Sequence, residues 1–196
     1  MKKYIAELIG TFSLALAVSV ALTNNLLLAP VAAGLTLALF VYTIGHVSGS
    51  HINPAVTLGF LFMKKIDIKD ALGYIAAQFL GAFLAVMIFG QFSSEAINLV
   101  SPDSLKVGIA EMIGSFLFTF GIAAAVHERT PSAVKGLVIG GSLLLGIVIA
   151  SIGSNGILNP AVAYALGSFS WAYALGPILG AVLGMWFFSF TDRANH

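Results

Sequence analysis

Charge is what this chain is short of. Lys, Arg, Asp and Glu make up 9% of its 196 residues, while 59% are hydrophobic; soluble domains carry about a quarter charged residues. So few charges cannot clothe a water-facing surface, which excludes an ordinary soluble domain and implies a membrane protein. Cysteine is absent, which excludes a disulfide framework and any thiol chemistry. The net charge of +1 excludes bulk electrostatic attraction to nucleic acid. No Ser-His or paired-carboxylate arrangement occurs in the motif regions, and the four histidines are scattered. Neither an enzyme nor a metal site is therefore expected.

What is present is apolar length. Runs of about 20 residues, enough to cross a bilayer, fall at about 4–23, 27–46, 70–91, 107–126, 134–152 and 172–190. The first follows Lys2-Lys3 without a small-residue cleavage site behind it and reads as a retained span, not a removed signal. Two further apolar segments, about 54–62 and 160–169, are too short to span, and each follows an Asn-Pro pair. Interrupted segments in matching places point to a site at the midplane. If both re-enter the membrane and the N-terminus is cytoplasmic, Lys2, Lys3, Lys64, Lys65, Lys69, Arg129, Lys135 and Arg193 lie inside and Lys106 alone lies outside. That asymmetry fits the positive-inside rule, with both termini cytoplasmic and the plasma membrane as the expected location.

The chain repeats itself. Ala6-Glu7-Leu8-Ile9-Gly10-Thr11-Phe12 matches Ala110-Glu111-Met112-Ile113-Gly114-Ser115-Phe116 at an offset of 104, and Asn53-Pro54-Ala55-Val56 matches Asn159-Pro160-Ala161-Val162 at 106. This is a duplication of about 100 residues, giving one domain over 1–196 with repeats at about 1–100 and 101–196. Three spans per half invert the second half relative to the first. The fold class is then an all-α membrane protein, with six spans and two re-entrant half-helices meeting at mid-depth. Half-helices of about nine residues each, at 1.5 Å per residue, would together nearly cover the roughly 30 Å core.

Each Asn-Pro-Ala is a helix start. Asparagine suits the N-cap, and proline suits the first helical position, where its missing N–H costs nothing. Two such starts facing each other place two partial positive charges at one point, an arrangement that repels cations and protons. Asn53 and Asn159 can each offer an amide N–H to a passing oxygen. The carbonyls just before each cap, over Gly49, Ser50, His51 and Ile52 and over Asn155, Gly156, Ile157 and Leu158, can line the path as acceptors.

These residues carry a resemblance. Gly45-His46-Val47-Ser48-Gly49-Ser50-His51-Ile52-Asn53-Pro54-Ala55-Val56-Thr57 and Asn155-Gly156-Ile157-Leu158-Asn159-Pro160-Ala161 are similar to the two signatures of the aquaporin, or major intrinsic protein, family. The likeness covers nearly the whole chain. It implies an aquaporin-like fold, a homotetramer with a pore in each subunit, no cofactor and no energy coupling. It also implies a second constriction at Ala33, Ile147, Gly156 and Val162. Water-selective relatives place a large aromatic, often a histidine, and an arginine at the first, second and fourth of these; this chain has none of them. The expected filter is wide and apolar, suited to water, urea, glycerol-like polyols, ammonia, hydrogen peroxide or neutral metalloid hydroxides. The opposing reading is an apolar collar closed by Ile147 and phenylalanines, giving a water-only or poorly conducting pore.

Among the remaining polar residues, Glu7 and Glu111 sit inside spans, where a carboxylate is a functional candidate; the resemblance implies that they brace the re-entrant loops. His46 is expected to face the pore and His51 to brace its loop. Trp171, Tyr173 and Trp186 near span ends fit interfacial anchoring. A secondary transporter is the main rival, since inverted repeats and broken helices occur there too, but the short segments carry caps where coupling would need acids. A purely structural, membrane-joining role finds little adhesive surface in such short loops.

Overall fold

A computed structural model describes residues 1–24, 29–93, 97, 99 and 103–193. The apolar runs form helices α1 (Lys2–Asn24), α2 (Ala29–Ser48), α4 (Ile68–Phe92), α5 (Leu105–Val126), α6 (Lys135–Ala150) and α8 (Trp171–Arg193), each long and apolar enough to cross a membrane. Between them lie the half-helices α3 (Pro54–Phe62) and α7 (Pro160–Ala165). No strand occurs among the described residues. The start of the second span, at 27–28, and the repeat junction at 100–101 lie outside them.

Both half-helices begin as their sequences dictate. Asn53 Oδ1 accepts from Ala55 N at 2.8 Å, and Asn159 Oδ1 accepts from Ala161 N at 3.1 Å and Val162 N at 3.3 Å. α3 ends at Phe62 as expected, but α7 does not run as far as expected. α7 stops after six residues, not the ten of 160–169. Gly167 turns left-handed at φ 71°, letting Ser168 N donate to Ala163 O at 2.9 Å and Gly167 N to Tyr164 O at 3.2 Å. That pair of bonds is a Schellman cap. With α3 at nine residues, the two half-helices together cover only about 22 Å at 1.5 Å per residue, short of the roughly 30 Å hydrocarbon core.

The halves pack as inverted copies. α1 lies on α2 and α4 as α5 lies on α6 and α8, and each half-helix reaches across, α3 to α8 and α7 to α4. The central crossing of α2 on α6 brings backbones together at Gly34 and Gly140. A Cβ on Gly140 would lie 2.2 Å from Gly34 O, and one on Gly34 would lie 2.7 Å from Gly140 O. Small residues permit this approach where bilayer lipid offers no hydrophobic drive for association. Outward, the spans present large apolar side chains such as Leu35, Leu72, Leu137, Leu179 and Phe190.

One end of the bundle is tied by polar contacts. Lys3 pairs with Asp70, the Tyr42 hydroxyl donates to Ala133 O at 2.9 Å, and Arg129 Nε donates to Asp192 Oδ1 at 2.6 Å. These join the starts of α1 and α4, the end of α2 with the approach to α6, and the ends of α5 and α8. That end carries every Lys and Arg of the chain but Lys106, which stands in the first turn of α5 at the opposite end.

Candidate pore

The path through the bundle is built by two loops that carry irregular backbone at membrane depth, which is tolerated only where it is buried or lines a cavity. Residues 49, 50, 52, 156 and 158 all have positive φ. Ile52 at 39° is a true outlier for a β-branched side chain, and Leu158, at 57°, is its counterpart in the second half. Such strain persists only where surrounding contacts over-determine it.

The contacts that do so start from the two intramembrane carboxylates. Glu7 Oε1 accepts from the Ser48 hydroxyl at 2.6 Å and His51 N at 2.9 Å; Oε2 accepts from Ile52 N at 2.6 Å and Gln78 Nε2 at 2.8 Å. Glu111 repeats the pattern. Its Oε1 takes the Ser154 hydroxyl at 2.7 Å and Ile157 N at 3.0 Å, and its Oε2 takes Leu158 N at 2.7 Å. Both carboxylates are wholly buried. A carboxylate is an acceptor with about four lone-pair sites, and at Glu7 four donors converge on them.

A pair of tyrosines adds a second brace that the sequence reading missed. Tyr74 donates its hydroxyl to Ser48 O at 2.8 Å, and the Tyr173 hydroxyl accepts from Asn155 N at 2.9 Å. Tyr173 is 1% exposed, so it is a loop support and not an interfacial anchor; Trp171 and Trp186 are exposed. Gln78 also escaped notice. Its one signal was an amide in the middle of a largely apolar span.

The two halves lock at mid-depth. Asn53 Nδ2 donates to Leu158 O, and Asn159 Nδ2 donates to Ile52 O, both at 2.9 Å. Each amide nitrogen carries two hydrogens, so one holds the opposite loop and one remains. The carbonyls of Ile52 and Leu158, expected to line the path as free acceptors, are thus already engaged through one lone pair each.

A cavity of about 500 Å³ leads to this pair. It runs inward from the end opposite the basic residues, between the C-terminal halves of α1 and α6 and the N-terminal half of α2. Ala33, Ile147, Gly156, Val162, Asn53 and Asn159 all lie on its wall. Gly156 stands at φ 63° with Ile147 O only 2.5 Å from where a Cβ would sit, which fixes the loop against α6. Several other polar groups of the wall are occupied. Ser154 serves Glu111, the Ser151 hydroxyl donates to Val148 O at 2.6 Å, and Asn155 Nδ2 donates to Leu99 O at 3.0 Å.

The two histidines sit differently with respect to this cavity. His46 is exposed on α2 and is not on the cavity wall, whereas His51 is. His51 also stacks on Phe60 with ring centroids 4.5 Å apart and sets Nδ1 3.2 Å from the Thr57 hydroxyl. The left-handed residues around it reverse the chain between the two positions, so spacing alone does not tell which ring turns inward. No cluster of His, Cys, Asp and Glu that could hold a metal occurs among the described residues.

Six spans with two opposed half-helices, meeting beneath a mostly apolar cavity, define a membrane channel protein. The profile of the family described as "Major intrinsic protein" matches residues 1–188, and the chain belongs to that family, whose members are channels for water and small solutes. It is 31% identical to "Nodulin-26" of Glycine max over 98% of this chain and 80% of that one. It is 35% identical to "Glycerol uptake facilitator protein-like 6" of Lactiplantibacillus plantarum over 93% and 94% respectively. Its fold matches the aquaglyceroporin from Plasmodium falciparum with a TM-score of 0.71, at 21% identity, over 99% of this chain and 96% of that one.

Proposed function

We propose that the chain passes water together with small uncharged solutes, urea and glycerol-sized polyols foremost, down their gradients. The observation that carries this is the wall at Ala33, Ile147, Gly156 and Val162, which bears no charge, no aromatic ring and no side-chain hydrogen-bond donor. Such a wall imposes neither a fixed cation nor a narrow ring on a solute. The name of the Lactiplantibacillus relative, a glycerol uptake facilitator-like protein, points to the same solute class. Ions are excluded at the Asn pair, where two remaining amide hydrogens and two half-helix N-termini make a locally positive point. The bilayer is its surroundings and a homotetramer its working form, in the plasma membrane with the basic end and both termini cytoplasmic. The asymmetry of Lys and Arg between the two ends supports that orientation.

The test is stopped-flow light scattering on proteoliposomes, with water efflux and urea and glycerol entry compared against empty vesicles. Val162→Arg places a cation and a longer side chain on the wall beside Gly156. The reading expects rapid urea and glycerol entry that this variant suppresses. Fast water with no solute entry in the wild type would instead favour the closed apolar collar.

A further inference from the structure

The pseudo-two-fold axis relates more than the Asn pair. An offset of 106 residues carries Gly34 onto Gly140, Ser48 onto Ser154 and Asn53 onto Asn159, and the members of each pair make equivalent contacts on their own side. Even Ser50 N and Gly156 N match, each donating at 3.0 Å to the serine hydroxyl two residues before it. The same offset carries Ala33 onto Ile139, Val41 onto Ile147, Ser50 onto Gly156 and Val56 onto Val162. We infer that Val41, Ser50, Val56 and Ile139 form a second collar on the basic side of the Asn pair, and that this collar, not the outer quartet, sets the size limit for solutes. The inference rests on the channel reading above.

Bulk is the first argument. Ile139 stands where the outer ring has Ala33, and Ser50 where it has Gly156; the valines are equal, and only Val41 is smaller than its counterpart Ile147. The helix behind each ring follows suit: α5 offers Ile122 at an offset of 104 from Val18 of α1. None of the four inner residues is on the wall of the outer cavity, and Ser50, Val56 and Ile139 are exposed by only 4%, 2% and 9%.

Ser50 is the second, independent argument. It holds φ at 53°, in the left-handed region that its counterpart fills with glycine, and its buried hydroxyl has no hydrogen-bond partner. Backbone strain and an unsatisfied buried hydroxyl each destabilise the fold, and an unpartnered group in a native structure calls for a reason. A water or solute in transit supplies the missing partner. The Ser50 hydroxyl is then the one polar side chain of the inner collar, and it hydrogen-bonds whatever passes.

Stopped-flow entry of water, urea, glycerol and erythritol into proteoliposomes tests this with Ile139→Ala, Val56→Ala, Ala33→Gly and Ser50→Ala. Thermal unfolding in detergent confirms which variants are folded, and the two inner truncations are alternatives should one fail. An inner truncation is expected to raise the erythritol-to-water ratio about tenfold, the effect of lowering a barrier by about 1.4 kcal/mol. Ala33→Gly, on the outer wall, is expected to change the ratio less than either inner truncation. Ser50→Ala is expected to lower urea entry relative to water; an unchanged ratio would remove the hydroxyl from the proposal. A rise with Ala33→Gly and none with either inner truncation would overturn the inference and return the limit to the outer quartet. Should the wild type carry nothing above empty vesicles, a conducting inner truncation would keep the collar while the channel reading of the wild type fails. Silence in both would overturn the two together.

Discussion

Replacing Glu7 by glutamine separates a structural carboxylate from a proton-carrying one. The side chain keeps its length and loses two of its acceptor sites. His51 N and Ile52 N sit on different oxygens of Glu7, so whichever way the new amide turns, one backbone N–H faces an NH2 group. An orphaned buried donor costs about 1–3 kcal/mol, and the surviving bonds lose the roughly twofold strength that an ionised acceptor gives them. Together these amount to about 2–5 kcal/mol, a large share of the 5–15 kcal/mol by which domains are commonly stable. For a chain of this length the melting temperature should fall by about 5–15 °C. Tryptophan fluorescence or size-exclusion recovery after heating in detergent reads this directly. Thr11→Val is the control, because that hydroxyl only bonds back to Glu7 O within α1. Water permeability per surviving channel should stay near wild type. A Glu7→Gln protein with an unchanged melting temperature and abolished flux would refute the bracing argument and favour a proton relay.

Three further outcomes follow from contacts elsewhere. Gly140→Ala sets a Cβ 2.2 Å from Gly34 O; backbone cannot yield as a flexible side chain would, so α2 and α6 should separate and folded yield fall sharply, measured by monodisperse recovery from membranes. Asn159→Asp removes the amide that holds Ile52 O and puts a negative charge where two helix starts face each other, so a proton leak should rise in vesicles loaded with a pH dye while wild type stays tight. Asp192→Asn weakens the Arg129 and His127 contacts at one end of α5 and α8. Those groups are partly solvated, so solvent screens the pair and only a small downward melting shift is expected, with flux unchanged.

Much of the fold was legible because its rules are local or set by length. Apolar runs long enough to span, and an Asn-Pro start for each half-helix, need no tertiary information. The inversion followed from an odd number of spans per repeat. What the residues could not reveal was long-range or conformational. The six-residue length of α7 depends on Gly167 turning left-handed, while the apolar pattern runs on past it. The bonds from Asn53 to Leu158 O and from Asn159 to Ile52 O join residues more than a hundred positions apart. The place of His51 on the cavity wall depends on positive φ at Gly49, Ser50 and Ile52, which composition does not announce. Tyr74 and Tyr173 stood at matching places, 99 residues apart, and that correspondence could have marked them as braces.

The most direct trial of passive conduction is uptake of labelled glycerol into proteoliposomes followed to its plateau, with and without imposed proton and sodium gradients. The account predicts entry faster than into empty vesicles, ending at the external concentration whatever gradient is imposed. A plateau above the external concentration that collapses when the gradient is dissipated would contradict it and make the protein a coupled transporter.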